Sequence, residues 1–336
     1  MRERRLSLLV VARVGVVVSM LAVLGGLLAF WLLGGAHRGD AYTYLAAGQR
    51  LNAGHLLYTL SPGDSEVLLN PPYWTVPLLS PPLVGVIWRP LALLPGDAGV
   101  YVWWIAVAVS SGAVIAALLA RAPFVAVPLM LGLSISIVVQ VGVANIDGLL
   151  LLGIVSVWWL TIRGHERAAG VIVGVMTAVK VTPVVLLWWL VTLGRWRGAQ
   201  AWAVAIVVCV TAGVVGAGLS SHLRFLEIAA QTAATGSTEG SLAGAARGFG
   251  VAPELARYLP SLAMIIGAAL MLVWRGRPGL AFGIASVLMV IGSPSVSVHT
   301  PALLLATLAP FAWPLSSKAS VTEPQPETAA MAPLVA

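Results

Sequence analysis

Residues 168–195 read AAGVIVGVMTAVKVTPVVLLWWLVTLGR, two short apolar runs separated by Lys180-Val181-Thr182-Pro183. Neither run approaches the about 20 residues needed to cross a hydrocarbon core about 30 Å thick. Proline has no N–H to donate and disfavours helix in the residue before it, so a break near Lys180–Pro183 is expected. Arg163 and Arg167 precede the pair, and Arg195 and Arg197 follow it. Basic residues flanking membrane segments stay on the cytoplasmic side. The pair is therefore expected to enter the membrane, turn at Lys180 and return as two tight short helices.

The rest of the chain is of the same kind. Of 336 residues, 59% are hydrophobic and 9% charged, and the mean hydropathy is +0.96. Soluble domains carry about 25% charged residues, which excludes a water-soluble fold, a disordered chain and a disulfide scaffold. The formal net charge of +7 comes from 17 Arg and 2 Lys against 12 acids. In a polytopic membrane protein such an excess records which loops are cytoplasmic, and no nucleic-acid partner is expected. The lone cysteine, Cys209, lies in an apolar run and reads as a packing residue.

An uncleaved first span is expected over residues 6–33, behind Met1-Arg2-Glu3-Arg4-Arg5, because the run is too long for a signal peptide. Further membrane segments are expected at 98–120, 123–141, 146–163, 168–180, 182–194, 199–219, 258–275, 279–292 and 299–315. That makes about ten segments in an all-α polytopic protein. Residues 71–95 contain seven prolines and suit short interfacial helices in the first outer loop better than a span. The expected organisation is one integral membrane domain over 1–315 and a disordered cytoplasmic tail over 316–336. Both termini are then cytoplasmic in the plasma membrane, and the loops 34–97, 142–145, near 181, 220–257 and 293–298 are outside.

The polar residues that stand out are expected in or beside those outer loops. Asp40 precedes an alanine-rich helical stretch, where a carboxylate caps free N–H groups or serves as a base. Lys180 is the only lysine within the membrane segments. At bilayer depth a charge costs at least about 2.5–3.5 kcal/mol, so it faces a partner, a polar cavity or the interface. Its functional reading is a counter-charge for an anionic lipid head group. His299 stands at the outer start of the last segment, as a boundary residue or a site residue. Arg247 lies among Gly and Ser, on a solvated face or beside a phosphate. The acids are expected to cluster in the outer loops. No Walker A, HExxH or paired CxxC motif occurs, so nucleotide-driven transport is not expected.

The order of these pieces resembles glycosyltransferase family 87, within the GT-C superfamily of membrane enzymes that use polyprenyl-phosphate sugars. The resemblance runs through Gly39-Asp40-Ala41-Tyr42-Thr43-Tyr44, Ala53-Gly54-His55-Leu56-Leu57-Tyr58, Asn70-Pro71-Pro72-Tyr73 and Pro90-Leu91-Ala92-Leu93-Leu94-Pro95. It continues in Gly142-Val143-Ala144-Asn145, similar to a Gly-Gln-x-Asn motif with Val143 in place of Gln, and in Gly170…Gly174…Lys180-Val181-Thr182-Pro183. Gly240-Ser241-Leu242-Ala243-Gly244-Ala245-Ala246-Arg247 and Ser293-Pro294-Ser295-Val296-Ser297-Val298-His299 complete it.

The resemblance implies a GT-C-like fold and transfer of a sugar, mannose first and arabinofuranose as the alternative, from a polyprenyl-phosphate donor to a glycolipid or glycan acceptor at the outer face. It implies Asp40 as general base with His299 close by, Lys180 and Arg247 on the donor phosphate, and Tyr42, Tyr44, Tyr73 and Asn145 against substrate. One carboxylate and no glycosyl-enzyme nucleophile imply single displacement with inversion. No metal or other cofactor is expected, since no second acid accompanies Asp40 in residues 39–44; Asp64 and Glu66 are the acids that would change this. Two other classes remain open, a secondary transporter and a catalytically silent membrane partner. The separating observation is whether Asp40, Lys180 and His299 converge on one cavity.

Overall fold

The structure, a computed structural model, describes residues 2–33, 39–58, 68–69, 74–75, 78–235 and 240–315. Tyr73, Asp64, Glu66 and the tail from 316 lie outside the described residues. Helices α1 (Arg2–Leu33), α2 (Gly39–Asn52), α3 (Pro82–Leu91), α4 (Ala98–Arg121), α5 (Pro123–Gly132), α6 (Ser134–Gly142), α7 (Asp147–Ile162) and α8 (Glu166–Val179) form the first half. The second half holds α9 (Val184–Thr192), α10 (Trp196–Ala217), α11 (Leu219–Thr235), α12 (Leu242–Gly248), α13 (Pro253–Ala256), α14 (Leu259–Val273) and α15 (Pro278–Ile291). A 3₁₀ segment (Thr300–Leu308) and α16 (Ala309–Ala312) close the described chain. Among the described residues the strands are limited to a two-residue antiparallel ladder, Leu68–Leu69 against Trp74–Thr75.

This is an all-helical membrane protein. Among the described residues, four stretches are long and apolar enough to cross a bilayer: Arg13–Trp31, Ala98–Arg121, Trp196–Ala217 and Pro253–Val273. The pair α5 and α6, bent by 70°, makes a fifth if counted as one span. Ten segments are not reached by this measure, because several expected spans are helices shorter than the hydrocarbon core. α7 has 16 residues, α8 14 and α9 9. At 1.5 Å per residue they are about 24, 21 and 14 Å long. The apolar side chains left exposed on α1, α10 and α14, among them Phe30, Val208 and Ile265, would form improbable patches in water and are ordinary against lipid.

The break at Lys180–Pro183 falls where the proline requires it. α8 ends at Val179, Lys180 is extended, and α9 restarts after Pro183. Its position in space is set by glycine. A Cβ at Gly170 would overlap the carbonyl oxygen of Gly198, and one at Gly174 would press on Ala205 and the Trp202 carbonyl of α10. Small residues one turn apart let two backbones approach closely, the standard solution for helices that gain nothing from hiding apolar surface in lipid. α2 lies on α3 in the same manner, with Gly48 against the Trp88 carbonyl.

The helices share a polarity of ends. α7 and α9 begin, and α8 and α15 end, at one level, where the polar residues gather. At their other ends Trp158, Trp189 and Phe282 pack with ring centroids 5.0–6.0 Å apart. Arg121 lies over Trp313, Arg163 over Trp159, and Arg195 pairs with Glu166 at 2.6 Å there. The basic loops and the polar cluster thus occupy opposite ends of the bundle.

Gly170→Ala should destabilise the protein by about 1–3 kcal/mol, the usual cost of overpacking a filled contact. Gly112→Ala, where nothing lies within 4 Å of the new Cβ, should be neutral or gain some of the about 0.5–1 kcal/mol by which glycine weakens a helix. Thermal unfolding of the two variants in detergent checks both; equal melting temperatures would contradict the packing account.

Candidate active site

The polar end is organised by the turn between α6 and α7. The backbone leaves α6 in a Schellman arrangement. Ala144 N–H donates to the Val141 carbonyl at 3.1 Å, and Asn145 N–H to the Gln140 carbonyl at 3.1 Å. This closure requires a left-handed residue, and Ala144 adopts it with φ of 56°. A non-glycine residue there costs of order 1 kcal/mol. The Trp103 indole N–H holds the Ala144 carbonyl at 3.0 Å.

That turn docks the N-terminus of α2. The backbone N–H groups of Asp40 and Ala41 donate to the Val143 carbonyl at 3.2 and 3.4 Å. What position 143 supplies in this chain is its main-chain oxygen, which a valine provides as well as a glutamine. With its own N–H satisfied in this way, Asp40 turns its carboxylate into the cavity. Asn145 Nδ2 donates to Asp40 Oδ2 at 2.6 Å, while Asn145 Oδ1 accepts from the Asp147 N–H at 2.8 Å. One amide therefore ties the start of α2 to the start of α7.

Asp147 was not anticipated as a site residue, and it corrects the expectation that the acids keep to the loops. Its carboxylate is completely buried, and Oδ1 accepts from Lys180 Nζ at 2.6 Å. Oδ2 has no hydrogen-bond partner and lies 3.8 Å from His299 Nε2. The signal was present in the sequence as an acid inside the apolar run 146–163, with a single intramembrane lysine elsewhere in need of a partner.

Asp40, Asn145, Lys180 and His299 line one cavity of about 420 Å³. Its other walls are apolar, from Leu78 and Leu79 before α3, Phe225 and Ile228 of α11, Met264 of α14 and Leu288 of α15. A few convergent polar groups in an otherwise apolar cavity is the usual form of a ligand site. His299 is brought there by the loop 292–299. In this loop Ser293 Oγ donates to the Ser295 carbonyl at 2.7 Å, and Thr300 Oγ1 accepts the Ser297 N–H at 3.2 Å. Gly240 fits against the Val296 carbonyl of the same loop, and Ser241 Oγ caps α12 by accepting from Gly244 N–H at 3.0 Å.

The remaining sequence candidates divide. Tyr44 lines the cavity, its ring tilted against Trp88 and edge-on to Trp103. Tyr42, two residues earlier on α2, does not line it; its hydroxyl donates to Asp97 Oδ2 at 2.7 Å. Arg247, half-buried on α12, is not among the lining residues either. No cluster of three or more His, Cys, Asp or Glu side chains suited to a metal occurs among the described residues.

The electrostatics favour proton exchange at Asp40. Burial raises its pKa above the ordinary aspartate value, while His299 and the Asn145 hydrogen bond pull it partly back. Burial lowers the His299 pKa, opposed by the Asp147 and Asp40 charges. The site therefore holds a carboxylate of increased basicity beside an imidazole inclined to be neutral.

The sequence model of glycosyltransferase family 87 matches residues 79–294. This stretch contains Asn145, Asp147 and Lys180, and stops short of Asp40 and His299. No curated protein and no solved structure matches the chain.

An acid whose pKa is raised by folding stabilises the fold fully below its ordinary value, and that contribution is lost as pH rises through the raised value. Asparagine carries no such penalty. Asp40→Asn should therefore melt at a higher temperature than wild type at neutral and alkaline pH, with the gap closing as pH falls into the ordinary carboxylate range. Thermal unfolding of both proteins between pH 4 and pH 8 measures it; a gap that does not change with pH would contradict the burial account.

Proposed function

The chain belongs to glycosyltransferase family 87, and from that membership we propose that it moves a sugar, mannose in the first instance, from a polyprenyl-phosphate donor to a glycolipid or glycan acceptor. The observation that supports this reading is the convergence of Asp40, Lys180 and His299 on one cavity with apolar walls. A donor of this kind has an anionic head at the membrane surface and a hydrocarbon tail, and it needs both kinds of surface at once. The positive-inside rule favours the outer face for the cavity, since Arg121, Arg163 and Arg195 lie at the opposite end of the bundle.

In this reading the acceptor hydroxyl oxygen bonds to the anomeric carbon as the bond from that carbon to the phosphate oxygen breaks. The electron pair leaves with the polyprenyl phosphate, and the acceptor proton passes to Asp40. One displacement inverts the anomeric carbon. Asp40 suits the role because burial increases its basicity, and Asn145 fixes the carboxylate by one oxygen. Lys180 and His299 are the groups positioned to meet charge developing on the departing phosphate, the kind of fixed electrostatic contribution on which transfer reactions depend. Tyr44 and Asn145 border the substrate space. The arrangement offers a carboxylate base poised for use, which a silent partner in an envelope complex has no need to keep.

The test is transfer from radiolabelled polyprenyl-phosphomannose to a lipid-glycan extract by purified protein in nanodiscs. Wild type should transfer label and give product of inverted configuration, and Asp40→Asn should reduce kcat by about 10²–10⁴-fold, the usual worth of a general base. Wild-type transfer only from the arabinofuranose donor would replace the sugar; no transfer from either would favour the silent partner. Because Asn145 lowers the Asp40 pKa, Asn145→Ala should move the acid limb of the kcat/KM profile to higher pH. An unmoved limb would remove Asp40 as the titrating base.

A further inference from the structure

The proposed mechanism leaves Asp147 without a task, although it is the most completely buried charge in the described structure to touch the cavity groups. Its side chain has no solvent exposure, and it begins α7 where Asn145 Oδ1 fixes its backbone N–H at 2.8 Å. Oδ1 is engaged by Lys180 Nζ at 2.6 Å. Oδ2 is buried, accepts no hydrogen bond, and points at His299 Nε2 across 3.8 Å. A carboxylate has lone pairs for about four hydrogen bonds, so an oxygen buried without any is a costly vacancy. The geometry supplies one donor close enough to fill it, the Nε2–H of His299.

A proton decides when it is filled. With His299 neutral, Lys180 is the one cation among these four groups able to face the phosphodiester of a polyprenyl-phosphate sugar. Uptake of one proton by His299 sets a second cation beside it. The imidazolium then has two anions to serve, one at each ring nitrogen: Asp147 Oδ2 at Nε2 and the phosphate at Nδ1. Lys180 commits one of its three ammonium hydrogens to Asp147 and is 23% exposed toward the cavity, so the others remain for the same phosphate.

We propose that Asp147 is a positioning residue that holds Lys180 and protonated His299 side by side on the cavity wall as a paired cationic seat for the donor phosphate. This rests on the polyprenyl-phosphate reading above and adds to it the anion that builds the seat. The seat differs from a bare lysine in two respects. Its affinity depends on a proton, and its two cations are coupled through one carboxylate.

The test uses the full chain in nanodiscs. Donor KM, acceptor KM and kcat are measured with the polyprenyl-phosphate sugar, and binding of polyprenyl monophosphate is followed from pH 5 to pH 8.5. The charged groups facing His299 are Asp40 from α2, Asp147 from α7 and Lys180 at the α8–α9 break. Wild-type binding should weaken as pH rises past the point where His299 loses its proton. Asp147→Asn should raise donor KM by roughly 10–100-fold, the worth of charge-assisted hydrogen bonds, and leave acceptor KM unchanged. It should also move the weakening to lower pH, because the imidazolium loses its partner.

If Asp147→Asn fails to fold with Lys180 left unpaired, the double variant Asp147→Asn with Lys180→Met removes both charges, and such pairs are often replaceable without loss of folding. In the Lys180→Met background the Asp147 substitution should cost less in donor KM than in wild type, a coupling that independent sites do not show. Unchanged donor KM and unchanged pH dependence in folded Asp147→Asn, or additive penalties in the double variant, overturn the proposal while wild-type transfer leaves the function standing. Absence of wild-type transfer with any polyprenyl-phosphate sugar brings down both.

Discussion

An ammonium and a carboxylate held 2.6 Å apart at the level where α7 and α9 begin and α8 and α15 end constrain everything around them. Neither charge is tolerable alone in an apolar bundle, since removing one partner of a buried pair leaves an uncompensated charge that typically costs 3–5 kcal/mol. The pair therefore ties α7 to the α8–α9 break, and it does so beside the turn that carries Asn145. Asn145 ties α7 in turn to α2. Three segments distant in the chain are in this way held at a common polar end, and the cavity is the space they leave between them.

The close approach that makes the pair possible is bought with glycine. α8 can bring Lys180 to Asp147 only because Gly170 and Gly174 let it lie backbone to backbone on α10. The proline at 183 then ends the helix where the lysine must leave it. A helix that continued through Lys180 would place the residue on a regular face, with its backbone in a ladder and its side chain directed by the 3.6-residue period. In the extended conformation it adopts, the side chain reaches across to α7. A similar economy appears at Ala144, where a left-handed alanine is accepted because the Schellman closure delivers Val143 and Asn145 to their partners.

The fold was largely legible along the chain. Apolar runs, arginine punctuation and the Lys180–Pro183 break anticipated an all-helical membrane protein with a pair of short helices and short helices within the proline-rich stretch 71–95; α8, α9 and α3 are helices at those places. The count of spans was not legible, because hydropathy registers an apolar run without its depth; α7 after Asp147 and α9 are largely apolar and too short to cross by themselves. The candidate site was legible in part. Asp40, Lys180, His299, Asn145 and Tyr44 stand together on the cavity, whereas Tyr42 turns to Asp97 and Arg247 stays on α12 outside the lining. Tyr42 and Tyr44 are two residues apart on one helix and so about 200° apart around it, which sends one inward and the other away.

What the residues by themselves determined was where helices run and stop, and which polar side chains are too costly to be idle in an apolar chain. Those are local properties, set by side-chain hydrophobicity, by the missing N–H of proline and by the permissiveness of glycine. Partnership was decided only by tertiary structure. Lys180 meets Asp147 across 33 residues and Asp40 meets Asn145 across 105. No periodicity carries that information, because a hydrogen bond needs its two atoms within about 3 Å, and helix packing alone brings them there.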